Sequence, residues 1–255
     1  MEYEPQYQLK RPLPKGSHPT TVWAAQFWAE KLQGVIPQNI NAIGLSVDLE
    51  TPVTTGAGIF SLGLVPFNED TFEIYGAASF YGRAKFAQVV DAGHFSGGTL
   101  RWWMEQGDAA RFELVKNQDE AMDYVELMAT VLGYMHALNE FLQPRGMLMP
   151  LGNSARFDIG ILEHTAMALN VVPKNSNGEK QLPWMFWNEL DLRQRLLDCR
   201  MYAGGNMKND IRRTGTHHNA VDDAIHQAKQ YLGAGLRLKG ETERLLEKEQ
   251  QNWGL

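Results

Sequence analysis

The sequence predicts an α/β protein whose mixed sheet opens as a three-strand antiparallel meander, continues with parallel strands and is flanked by helices. Three observations predict it. Residues 43–50 alternate strictly, with Ile43, Leu45, Val47 and Leu49 apolar and Gly44, Ser46, Asp48 and Glu50 small or polar, as in a strand with one face buried. Two more strand-like runs, 59–67 and 71–80, follow with only turns between them. From there onward apolar stripes of helical period alternate with a short apolar run at 147–151.

Residues 1–38 read as an N-terminal extension, 39–238 as the main domain and 239–255 as a charged, solvated tail. Pro5, Pro12, Pro14 and Pro19 make the first twenty residues extended. Thr20 or Thr21 then caps a short helix with Trp23, Phe27, Trp28 and Leu32 on one face, which packs on the main domain or on a second subunit in a homodimer. Gly56 and Gly58 mark the turn after the first strand, and Asn68-Glu69-Asp70 the next. Thr99 is placed to cap a helix through Trp102 and Trp103. Helical patterns follow at 118–142, 154–169, 189–202 and 219–234, and Gly204–Thr216 reads as a basic loop.

Composition excludes several classes. No apolar run approaches the roughly eighteen residues of a membrane span, and no basic-then-apolar start marks a leader, so a cytoplasmic protein is expected. A single cysteine, Cys199, rules out an intrachain disulfide and a multi-thiolate zinc site. The net charge of −6 argues against binding by blanket phosphate neutralisation. Residues 192–217 nevertheless hold Arg193, Arg195, Arg200, Lys208, Arg212 and Arg213 against only Asp198 and Asp210, a basic region in an acidic chain. Phosphate-loop, dinucleotide-turn and nucleophile-elbow motifs are absent.

What remains is a set of dispersed carboxylates. Asp48 and Glu50 share one face of the first strand, roughly 7 Å apart, which suits a divalent cation as well as it suits a solvated edge. Asp158 falls in the first turns of the helix after the 147–151 strand, where it could equally be compensating the helix dipole. His218 precedes a helix and Asp223 lies one turn into it, positions also open to a capping histidine and a solvated carboxylate. A stripe of His218, Asp222 and His226 offers a rival, zinc-like ligand set.

Together the three segments resemble the DEDDh 3′–5′ exonucleases of the ribonuclease H-like superfamily. The matching residues are Asp48-Leu49-Glu50-Thr51, then Phe157-Asp158 after the small polar run from Asn153, then His218-x-Ala220-x-x-Asp223-Ala224. Thr99–Trp103 and Phe186–Arg193 are similar to segments of the phage exodeoxyribonuclease A and mycobacterial 3′–5′ exoribonuclease-like group. The resemblance implies a ribonuclease H-like sheet and hydrolysis at 3′ ends of single-stranded DNA or RNA to nucleoside 5′-monophosphates. It implies two Mg²⁺ or Mn²⁺ ions held by Asp48, Glu50, Asp158 and Asp223, roughly 3.5–4 Å apart, with His218 as general base. It leaves Leu49, Thr51, Asn153 and Phe157 to contact substrate. Trp102 and Trp103 are candidates to stack bases and Arg212 to steer the backbone. The alternative function is a catalytically weak nucleic-acid-binding module working with a replication or recombination partner.

Overall fold

A computed structural model describes residues 4–255 except Thr55, Ala57, Gly93 and His94. The turn expected around Gly56 and Gly58 spans two of these and so lies partly outside the described residues. The first element, α1 (Pro19–Lys31), is capped by the His18 side chain, which accepts from the Thr20 N–H, and not by a threonine. Of the face expected to pack, Leu32 is buried in the main core and Trp28 meets Phe80 and Tyr134 edge-on. Ala24, Ala25 and Ala29 are also fully buried, although no large side chain marks them, while Trp23 stays 40% exposed. Ala24 and Ala25 seat against Gly133, where an added Cβ would come within 2.6 Å of Ala24 Cβ, so small residues set the closeness of the two helices. Before α1 the extended segment is tied down by buried Glu140, whose carboxylate accepts from the backbone N–H groups of Lys10 and Arg11.

The sheet is built on β1 (Ile40–Glu50), paired antiparallel to β2 (Ser61–Asn68) and parallel to β5 (Leu142–Gly152). The expected third meander strand is interrupted. It divides into β3 (Glu73–Ile74) and β4 (Phe80–Arg83), which pair with the two halves of β2 around a short 3₁₀ turn at Gly76–Ala78. Gly76 and two alanines offer little to a strand surface, and Leu255 packs where a Gly76 side chain would stand. β6 (Leu190–Asp191) completes the order β3-β2-β1-β5-β6. The mixed sheet with helices on both faces is the α/β architecture expected, and β1 is central in it, not an edge.

The helices between are α2 (Phe86–Asp91), α3 (Gly97–Glu105), α4 (Asp108–Val115), α5 (Tyr124–Asn139), α6 (Ala155–Ala168), α7 (Leu192–Ala203), α8 (Met207–Asp210), α9 (Ala220–Leu238) and α10 (Thr242–Gln250). Ile43, Leu45, Val47 and Leu49 of β1 join one core with α5 and α6. Val65 and Phe67 of β2 join a second core with α7, α9 and α10. The tail is not solvated throughout: Leu245 and Trp253 are buried in that second core. Among the described residues no helix is long and apolar enough to cross a membrane.

Candidate active site

Asp48 and Glu50 leave β1 on the face covered by α9, so the alternation that suggested a half-solvated strand instead carries carboxylates into the protein. Glu50 is 6% exposed and Asp48 partly buried. The approach of α9 is very close: Gly63 of β2, the register partner of Asp48, lies under the first residue of α9, and a Cβ there would fall 2.2 Å from the Ala220 carbonyl oxygen. A glycine is therefore needed at this crossing.

The first turn of α9 explains the histidine-to-aspartate spacing. Asn219 caps the helix, its Oδ1 accepting from the Val221 and Asp222 N–H groups. One turn in, Asp223 Oδ2 reaches back to accept from the His218 N–H at 3.0 Å. His218 takes a left-handed backbone with φ of 65°, uncommon for a residue with a side chain. Its ring meets Trp102 and Trp103 edge-on, at centroid distances of 5.3 and 5.9 Å, and its Nδ1 lies 3.8 Å from Glu50 Oε1. Asp222 turns the other way and accepts from the Thr216 N–H.

Ligand oxygens of Asp48, Glu50 and Asp223 thus lie within 4.8 Å of one another, and His217, His218 and Asp223 form a second such group. Among the described residues the His218, Asp222 and His226 stripe forms no comparable group. Asp158, 3% exposed, stands beside Asp48 but outside the three-carboxylate group, with its Oδ2 facing the Ser154 N–H at the start of α6. Burial pushes the Asp158 carboxyl up to about 7, against the pull of nearby backbone N–H groups and Arg193. Burial, then the charges of Glu50 and Asp158, hold the Asp48 carboxyl well above the usual range. Burial raises Glu50 too, with His218 opposing.

Asp48, Glu50, His218 and Asp223 open into one cleft of about 840 Å³, lined also by Leu49, Thr51, Asn153 and Phe157, whereas Asp158 lies behind its wall. The two tryptophans differ. Trp103 is 4% exposed and its indole N–H donates to the Thr51 carbonyl, so it supports the cleft wall, whereas Trp102 is 43% exposed. Arg212 is exposed and does not line the cleft; the neighbouring Arg213 does, with its guanidinium against Asp223 Oδ1. Sequence reasoning missed Gln227, one helical turn beyond Asp223, whose amide donates to Asp48 Oδ1 at 2.5 Å while its own Oε1 is buried with no hydrogen-bond partner among the described residues. The i, i+4 spacing from Asp223 was a signal for it. It missed Asp191 as well, which accepts from the Ala155 N–H of α6 and the Gln194 N–H of α7, capping both helices. The tail braces the site: Lys229 bonds Thr214 and Asn252, and Glu249 accepts from the Arg212 N–H.

The profile of the 3′–5′ exoribonuclease Rv2179c-like domain matches residues 44–232, nearly three quarters of the chain. The chain belongs to this exoribonuclease domain family. No curated protein matches it. The matched span begins within β1 and ends within α9, so it includes Asp48, Glu50, Asp158, His218 and Asp223 and leaves out α1 and α10. Membership in this family indicates 3′–5′ exoribonuclease activity.

Proposed function

We propose that the cleft is the active site of a cytoplasmic DEDDh-type 3′–5′ exonuclease with a ribonuclease H-like fold, which hydrolyses the terminal phosphodiester of single-stranded RNA or DNA and releases nucleoside 5′-monophosphates. The observation that carries the reading is the meeting of Asp48, Glu50 and Asp223 within 4.8 Å in an open cleft, with His218 beside them. The donor set fits Mg²⁺ or Mn²⁺: the grouped carboxylates offer hard oxygens, and among the described residues the one guanidinium in ion-pair contact with them is that of Arg213, while Gln227 Oε1 lies without a hydrogen-bond partner next to Asp48. Asp48, Glu50 and Asp223 would hold the ions, with Asp158 completing the charge behind Asp48. Bound divalent ions would supply charge to the phosphodiester and make water a better nucleophile.

The chain's own groups do the rest. His218 takes the proton from the attacking water through its imidazole, and the edge contacts with both tryptophans hold that ring over the carboxylates. Trp102 offers a face on which the terminal base stacks, worth roughly 1–3 kcal/mol. Gln227 holds the Asp48 carboxylate in one orientation.

Matched RNA and DNA oligomers labelled at either end test the assignment. With Mg²⁺, a 3′ label should be released at once as mononucleotide while a 5′ label marks progressively shorter strands. Release starting at the 5′ end, or none that depends on metal, would sink it. His218→Ala should lower kcat about 10²–10⁴-fold while preserving the thermal shift produced by Mn²⁺, because the carboxylates are untouched. That shift should itself grow with pH. Ions compete with protons for carboxyls held at raised values, about 7 for Asp158, so scanning calorimetry should find little stabilisation by Mn²⁺ near pH 5 and most of it by pH 8.

A further inference from the structure

A second cavity of about 300 Å³ lies between α7 and α8, and Lys208 lines both it and the catalytic cleft. Arg193 and Arg200 stand in its wall, over an apolar floor that includes Leu196 and Met207. The cations of the 192–217 region separate into two sets. Arg195 is paired with Glu69 and Arg213 with Asp223, but Arg193, Arg200 and Lys208 have no carboxylate within ion-pair distance among the described residues. Arg193 acts on the Asp158 carboxyl without reaching ion-pair distance, while Asp198 accepts from Gln194 and Asp210 is paired with Arg237. In a chain of net charge −6, three unpaired cations gathered in one concavity beside the cleft make a local positive surface that favours an anionic ligand.

We propose that this cavity binds the phosphodiester backbone of the substrate strand on the 5′ side of the nucleotide being removed. Arg193 and Arg200 contact successive phosphates, and Lys208 bridges the cavity to the cleft. The proposal rests on the exonuclease reading of the adjoining cleft and gives it a substrate class: a single strand several nucleotides long is held better than a dinucleotide. Phosphate contacts of this kind are indifferent to base sequence and sensitive to salt.

The test measures binding, so that it can fail separately from the catalytic reading. A 5′-fluorescein-labelled single-stranded RNA of twelve residues is titrated by anisotropy with the full-length Asp48→Asn protein, with and without Arg193→Gln and Arg200→Gln. Loss of two phosphate contacts should weaken binding at least tenfold at low salt and flatten the slope of log affinity against log salt by about 1.4, at 0.7 for each contact on a single strand. Arg193→Lys with Arg200→Lys should restore the slope. Identical slopes with and without the glutamines would overturn the proposal, as would an equal loss of affinity for a dinucleotide, since that would place the effect in the cleft. If the wild type releases no nucleotide from any strand, the catalytic reading fails, while the anisotropy slopes still decide the groove.

Discussion

Asp48→Asn should abolish nucleotide release, by about 10³-fold or more, and at the same time raise the melting temperature of the metal-free protein. Both effects come from one carboxylate. Ion-assisted charge stabilisation contributes several kcal/mol to reactions of this type, and each 1.36 kcal/mol is a factor of ten in rate. Without ions the same group is a buried charge facing Glu50 and Asp158, opposed only by Gln227 and Arg213. Asparagine keeps an oxygen for the Gln227 amide and removes the charge. Relief of a poorly compensated buried group is worth on the order of 1–3 kcal/mol, and each kcal/mol moves the midpoint of a chain this size by roughly 2–4 °C.

The sign with pH follows from the direction of the shift. A carboxyl whose folded value is raised favours the folded state fully below its unfolded value, near 3.8, and that contribution is lost as pH rises through the folded value. Wild type and variant should therefore melt together near pH 4 and diverge toward pH 8 in chelator, the variant higher. Adding Mn²⁺ should raise the wild type and leave the variant where it was. Retention of a tenth of the wild-type rate would remove Asp48 from the chemistry.

The second large effect is expected at a residue with no functional group. Gly63→Ala puts a methyl 2.2 Å from the Ala220 carbonyl oxygen and 2.5 Å from the Val221 nitrogen. These are backbone atoms and cannot rotate away, so the start of α9 must lift from β2. Overpacking of this kind costs about 1–3 kcal/mol, seen as a lower melting temperature. The larger consequence is catalytic, because the lifted turn carries His218 and Asp223, and a misplacement near 1 Å is worth about 10²-fold. Gly160→Ala is the control: among the described residues no atom lies within 4 Å of its added Cβ, and it sits in α6, where alanine should be neutral or stabilising by up to about 1 kcal/mol. Equal activity of the Gly63 and Gly160 variants would show that the crossing is not what sets the site.

Much of this was legible along the chain because it is local. Alternation places Asp48 and Glu50 on one face of β1 whatever surrounds the strand, and the capped turn from His218 to Asp223 is contained within six residues. Features that depend on distant partners were not. Thr99 reads as a cap, but the Ser96 side chain accepts from the Thr99 N–H, since the helix begins two residues earlier. Arg212 and Arg213 are indistinguishable in sequence, and only the path of their loop, braced from α10, decides which enters the cleft. The tail's charge suggested water around it, while the burial of Trp253 depends on a pocket made elsewhere.

The sequence alone determined the chemistry available: hard oxygen donors, one imidazole, a strand and two helix starts to present them, and a family whose profile spans them. Only the tertiary structure decided which of those groups share a cleft and at what electrostatic cost. The reason is range. Dihedral preferences and periodicity act over a few residues and set Glu50 beside Asp48, whereas Asp158, Arg213 and Gln227, which complete the field at Asp48, are brought there by the packing of α6, α9 and the loop before α9.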